Sequence, residues 1–374
     1  MNRIETYYLI GTLLSDDFNS KRRNFFIKSI KSPTLSWPIF IITGSNHLVL
    51  QTIYCKLVQH DLTTHIPSDV LAHLKYIYHL NYQRNSEILE QVNSINFHLG
   101  LQGIIPLYLK GVGNIIDNLY GNMAERIMHD IDFLVPDQQW EIATDILLKN
   151  GYVGIKKYEP DKKMEMKHFP TLRKQGARAP VEIHRLPVDY EFSDTFGAEE
   201  VWQNKKYVNG NFNCYVMSDS HKIIHNFIHS QLHHEGHLFA NVFMRNIYDL
   251  LLLSKRENPE EVFSNMSNYH KQAASYLRIM NKGFGINEKQ THVLKYTGYR
   301  YLIRHEINLR TWLISRCTYL ILRIFRAYIK LPFLAITNKK LRVSLIKRLL
   351  DINWYRQHFA SYNRNFIRNS NIQV

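Results

Sequence analysis

The hydrophobic period of this chain changes twice along its 374 residues, and that change limits the fold more than any other feature. Up to about His98 the apolar residues recur at helical spacing. Ile88, Leu89, Val92, Ile95 and Leu99 fall on one helix face that Gly100 and Gly103 can end. From Ile104 the pattern shortens to short runs at 104–109 and 127–135, the second alternating strictly before Pro136 stops it. Asp137 can cap a following helix bearing Trp140, Ile142, Ala143, Ile146 and Leu147, which Asn150-Gly151 closes in left-handed fashion. Further short strands are predicted at 164–168, 181–185 and 214–217, with turns around Gln175-Gly176 and Pro180. Beyond Ser218 the helical period returns, and Asn258-Pro259-Glu260 marks another helix start. The predicted class is α+β. A helical region (1–98) precedes a small mixed-sheet core (99–217), followed by a helical subdomain (218–300) and a basic amphipathic helical tail (301–374).

Composition narrows the function classes. An apolar fraction of 45% with 13% aromatic residues excludes a disordered chain. The net charge of +15 favours phosphate-bearing partners or anionic surfaces. Cys55, Cys214 and Cys317 are odd in number and widely spaced, which argues against a disulfide framework or a zinc ribbon and for a reducing, cytoplasmic setting. The apolar patch 7–14 lacks a cleavage site and reads as the first helix. The uncharged stretch 32–55 is broken by Pro33, Pro38, Gly44 and Asn46. The segment 311–336 carries Arg316, Arg323, Arg326 and Lys330, each costing ~2.5–3.5 kcal/mol at a membrane centre. No segment therefore reads as a span, and any membrane contact is expected to be peripheral.

The chemistry concentrates in Arg126-Ile-Met-His-Asp-Ile-Asp-Phe-Leu-Val135. In a strand, Ile131, Phe133 and Val135 point to the core while Asp130 and Asp132 project together from the other face. Adjacent carboxylates repel unless a cation neutralises them, and an oxygen pair suits a hard ion such as Mg²⁺. A two-metal site wants another carboxylate on a neighbouring strand, and Glu182 is the candidate. In Val181-Glu-Ile-His-Arg185 it shares its face with His184. Upstream, Leu109-Lys110-Gly111-Val112-Gly113-Asn114 follows a predicted strand and opens a helical pattern, so Lys110 and the backbone N–H groups can meet a phosphate.

Taken together, these residues resemble the uncharacterised nucleotidyltransferase family of the polymerase-beta-like superfamily. The resemblance rests on Leu109-Lys110-Gly111, Tyr120, Arg126 with Asp130-Ile-Asp132-Phe-Leu-Val135, Gly151-Tyr152 and Val181-Glu182-Ile183-His184, with Arg245 and Asp249-Leu250 following in a His-containing helical region. It spans roughly residues 30–255. Most of the superfamily has a Gly-Ser pair before the aspartate strand, where this chain, like the family, has Lys110-Gly111. The resemblance implies a minimal nucleotidyltransferase sheet in which Asp130, Asp132 and Glu182 are catalytic and bind one or two Mg²⁺ ions. Lys110, Gly111, Gly113 and Arg126 are the implied nucleotide-binding positions. The implied reaction is attack of an unidentified acceptor hydroxyl on the α-phosphate of a nucleoside triphosphate, ATP among the candidates, with pyrophosphate leaving.

Two rival readings stay open: a catalytically inactive nucleotide-binding or scaffolding relative, and a basic helical protein that binds nucleic acid. His221, His225, His229, His233 and His237 recur every fourth residue with His234 beside them. Because each step of four advances ~40° around a helix, they read as a packing face rather than one metal site. Arg245 and Asp249, four apart, are expected to pair locally. Between 301 and 350 stand eleven Lys or Arg and one acidic residue, Glu306. Arg316, Arg323, Arg326 and Lys330 share a helical stripe that packs on the domain, lies on anionic lipid or tracks a nucleic-acid backbone.

Overall fold

The computed structural model of the chain describes residues 1–155, 166–233, 236–266, 268–286 and 295–310, with scattered residues between 317 and 350. Two compact units result, 1–310 and 311–374. In the first, five helices precede any strand: α1 (Arg3–Leu14), α2 (Ser20–Ile30), α3 (Trp37–Asn46), α4 (Leu50–Gln59) and α5 (Ser68–Gly100). The face predicted for α5 is the one it buries, with Ile88, Val92, Ile95 and Leu99 all fully enclosed. Each such side chain contributes ~1.5–3 kcal/mol relative to exposure.

The core then alternates strands with short helices: β1 (Leu107–Tyr108), α6 (Lys110–Ile116), β2 (Ile131–Leu134), α7 (Trp140–Lys149), β3 (Tyr152–Gly154), β4 (Leu172–Lys174), β5 (Val181–His184), α8 (Ala198–Gln203), β6 (Lys206–Val208) and β7 (Cys214–Val216). They form one mixed sheet in the order β3-β4-β5-β2-β1-β7-β6. β2 lies parallel to β5 and antiparallel to β1. Gly151 takes the positive φ of 85° expected at the α7–β3 junction, a conformation open to glycine because it has no Cβ. The strand predicted over 127–135 is shorter than the alternation, since residues 126–130 lie outside the ladder. Of the predicted 164–168 strand, 164 and 165 lie outside the described residues, and His168 makes a single antiparallel bridge to His184.

Behind the sheet come α9 (Asp219–Phe227), a π-helical stretch Ile228–His233, α10 (Gly236–Phe239), α11 (Met244–Leu253), α12 (Pro259–Ser264), α13 (His270–Phe284) and α14 (Lys295–Arg310). The first ten residues of the predicted tail thus belong to α14, which packs on α13 and α1 and buries Tyr301 and His305. A continuous apolar core runs from Tyr7 to Leu302. The second unit has a helix at Leu331–Thr337. The basic stripe of Arg316, Arg323, Arg326 and Lys330, and also His234, fall outside the described residues. Among the described residues no helix is long and apolar enough to cross a membrane.

Candidate active site

The turn entering β2 is held from outside the sheet. The Asn81 and Asn85 side chains of α5 donate to the carbonyls of Ala124, Met123 and Arg126, and Gln51 and Thr52 of α4 donate to that of Glu125. Glu125 caps Asn122 and accepts from the Tyr248 hydroxyl of α11. With the turn fixed, the strand starts at Ile131, whose N–H donates to the Pro180 carbonyl. The alternation at 127–130 lies between this anchored turn and the first ladder bond.

The parallel register then sets Asp132 opposite Glu182 and Leu134 opposite His184. Paired residues of adjacent strands share a face, so Asp132, Glu182 and His184 converge. One ligand atom from each lies within 4.8 Å of the others. A small cation at ~2.1 Å from its ligands separates them by ~3–4 Å, so this oxygen, oxygen, nitrogen set fits a divalent ion after a small closure. Nδ1 of His184 lies 3.2 Å from the Leu186 carbonyl oxygen. Donation of Nδ1–H there leaves Nε2 aimed at the carboxylates, as metal-ligating histidines are held.

Lys110 follows β1 at a left-handed φ of 48°, a conformation costing ~1–3 kcal/mol for a residue with a Cβ. Its ammonium sits 2.8 Å from Asp132 Oδ1, and His184 Nε2 lies 2.9 Å from the same oxygen. Burial works to raise the pKa of Asp132, but Lys110 and then His184 outweigh it and hold the carboxyl well below its ordinary value. Burial likewise opposes the charge on Lys110, and Asp132 followed by Asp130 carries its pKa upward. Asp130, half-buried, is pushed up to about 6, first by the charge of Asp132 and then by burial. Glu182 accepts from Thr171 Oγ1 at 3.1 Å and has His168 Nε2 at 3.6 Å and His184 Nε2 at 3.7 Å. Burial opposes its ionisation, but the His184 contact leads in bringing its pKa down. The three carboxylates outnumber the one permanent cation among them, and that deficit is what a divalent ion would fill.

These groups border a cavity of about 460 Å³, within the ~300–1,000 Å³ of small-molecule sites. Asp130, Glu182, Lys110, Gly111 and Arg126 line it. Asp132 stands behind them at 2% exposure. Gly113 is not part of the lining. A Cβ there would meet the Tyr108 carbonyl oxygen at 2.4 Å, so its missing side chain lets α6 approach β1.

The Arg245–Asp249 pairing expected from spacing is overturned. Asp249 accepts from Arg126 Nε at 2.9 Å and from the Tyr120 hydroxyl at 2.8 Å. Arg126 arrives from far along the chain and takes the carboxylate, leaving Arg245 on the cavity wall, its Nε 3.5 Å from Asn246 Oδ1. The histidine series divides: His221 and His225 pack on Phe196 and His225 contacts the Pro187 carbonyl, while His225, His229 and His233 line the cavity, the last two stacked on each other. The π-helical stretch that carries these two is a geometry often found at functional sites. His184 had a signal in the alternation that placed it beside Glu182; Asn81 and Asn85 had none, because their partners lie some forty residues away.

A small mixed sheet that brings an aspartate strand and a glutamate strand together under a cation-lined cavity is the architecture that the resemblance implied. The chain belongs to the family described as uncharacterised nucleotidyltransferase, whose pattern matches residues 33–276, from the loop before α3 into α13. The family supports nucleotidyl transfer as the general activity. No curated protein matches the chain.

Proposed function

We propose that the protein transfers a nucleoside monophosphate from a nucleoside triphosphate to an acceptor hydroxyl, with Asp130, Asp132, Glu182 and His184 holding divalent cation. One observation carries this reading: the convergence of Asp132, Glu182 and His184 from two adjacent strands beside a cavity that Asp130 also lines. When bound, Mg²⁺ or a similar ion would supply charge stabilisation to the phosphates and acidify the attacking hydroxyl. Lys110 and Arg126, each ion-paired to a carboxylate, present their remaining N–H donors to the triphosphate, and Gly111 leaves the wall open beside them. In this reading Glu182, whose pKa the His184 contact helps bring down, accepts the acceptor's proton. The histidines around it orient that carboxylate.

The 2.8 Å Lys110–Asp132 pair favours a second reading, an inactive nucleotide-binding relative in which the ammonium stands where a cation would. The two divide on metal. We expect the full-length protein to bind Mn²⁺, seen by electron paramagnetic resonance, and to release pyrophosphate from nucleoside triphosphates with Mg²⁺ or Mn²⁺. Glu182→Gln should abolish the release. Nucleotide binding without Mn²⁺ binding or turnover would establish the second reading instead.

The basic tail is proposed to rest on an anionic membrane surface. Exposed Ile321, Phe333 and Ile336 accompany its cationic sequence. Flotation with phosphatidylserine vesicles tests this, and salt-sensitive binding to nucleic acid instead would replace it.

A further inference from the structure

Five lysines and arginines line the cavity, and four of them are neutralised. Lys110 pairs with Asp132, Arg126 with Asp249, Lys167 with Asp189 and Lys222 with Asp117. Arg245 is the exception: among the described residues no carboxylate lies within 4.0 Å of its guanidinium. Its backbone is fixed, since it opens α11 with its N–H on the His47 carbonyl at 3.2 Å. Arg126 repels it, while Asp249 and Asp130 attract it from beyond ion-pair distance. Burial first and the Arg126 charge second bring its pKa down to about 9. A desolvated guanidinium beside another guanidinium is unfavourable unless an anion joins it.

We infer that Arg245 is the terminal-phosphate clamp of this site, gripping the pyrophosphate portion of a bound nucleoside triphosphate with its planar fork. The inference rests on the nucleotide reading above and adds what that reading lacks, a cation not already committed to a protein carboxylate. The chemistry of the cavity gives the direction. Asp130, Glu182 and their neighbours would hold a cation against the phosphate under attack. No described carboxylate is ion-paired to Arg245, so its donors are available to the part of the phosphate chain that extends past the cation. A guanidinium offers two parallel N–H donors to phosphate oxygens, a match that a nucleobase or ribose does not provide. Asn226 and Asn246 flank it on the same wall with amides that can share the anion. Because no described carboxylate is ion-paired to Arg245, its removal breaks no salt bridge.

The test is calorimetric titration of the full-length protein with inorganic pyrophosphate, ATP and AMP, with Ca²⁺ as the supporting ion, in wild type, Arg245→Gln and Arg245→Lys. Mn²⁺ affinity and urea unfolding are measured alongside. Arg245→Gln is expected to weaken pyrophosphate and ATP at least tenfold and AMP less than twofold, with Mn²⁺ affinity kept and the unfolding midpoint equal or raised. Arg245→Lys should fall between, as a point charge without the fork. Equal weakening of AMP and ATP, no weakening at all, or loss of stability in both variants would overturn the assignment. If wild type binds Mn²⁺ and ATP while Arg245→Gln binds ATP as tightly, the clamp falls and the transferase reading stands. If pyrophosphate binding depends on Arg245 but no Mn²⁺ binds, the clamp stands and metal-dependent transfer falls. Failure of wild type to bind either phosphate sinks both.

Discussion

Asp130 is the most informative residue to neutralise, because the repulsion it suffers has a size and a pH signature. Its carboxyl rises from an ordinary 3.8 to about 6, chiefly because Asp132 stays ionised beside it. At 1.36 kcal/mol per unit, keeping Asp130 ionised in the metal-free fold costs at most about 3 kcal/mol. The folded state binds this proton more tightly than the unfolded chain does. The stabilisation from the proton is therefore full below 3.8 and is lost as pH rises through about 6. Asp130→Asn removes the charge while keeping the shape. In EDTA the variant should match wild type near pH 3 and gain up to about 3 kcal/mol by pH 7.5, the gain opening between 3.8 and about 6. Urea unfolding followed by circular dichroism across that range gives the difference directly. Divalent ion closes the gap: at Mn²⁺ one hundred times its dissociation constant, wild type should gain ~2.7 kcal/mol and the variant much less, which brings the two to nearly equal stability. A variant no more stable than wild type at pH 7.5, or a difference independent of pH, would refute the account of the site as a carboxylate cluster awaiting positive charge.

Asp132→Ala should behave oppositely, losing ~3–5 kcal/mol in urea unfolding because it strands Lys110 and His184 behind the cavity. Its loss of activity therefore reports on folding as much as chemistry. The folded pKa of Asp132 is depressed, so the stability it adds is present above 3.8 and disappears as pH falls well below that; Asp132→Asn should flatten that acid limb. Gly113→Ala drives a methyl against the Tyr108 carbonyl and should cost ~1–3 kcal/mol in the same assay, without changing Mn²⁺ affinity per folded molecule. Asn85→Ala removes the amide from the Met123 and Arg126 carbonyls; a loss of ~1–3 kcal/mol together with weaker Mn²⁺ binding is expected, the second because the turn before the aspartates loosens.

Much of the site could be read before any coordinates, because strand alternation is a local property. It set Asp132 and Glu182 on definable faces, and likewise His184 beside Glu182. What it could not supply was the neighbour relation: that β5 lies beside β2, parallel and in a register opposing Asp132 to Glu182, depends on how the intervening chain crosses over. Arg245 shows the converse failure. Spacing of four made Asp249 its natural partner, yet Arg126 reaches that buried carboxylate from 123 residues away, a tertiary contact that sequence spacing does not encode. The strands β3 and β6 carried little signal, being three residues long at or beside sheet edges with exposed Val153 and Tyr207. The histidine series was legible as a packing face for His221 and His225. The widened π-helical stretch that turns His229 and His233 to the cavity left no mark in the periodicity.

The grip of α4 and α5 on the turn before β2 bears on any attempt to cut the protein down. The strand that presents the aspartates is moored by amide and hydroxyl groups belonging to the first hundred residues, so a fragment beginning at residue 99 would keep every acidic side chain and lose what aims them. The smallest piece fit for trimming, grafting or domain exchange must carry those helices, and the helical front of the molecule is better thought of as the mount of the reacting groups than as an accessory to them.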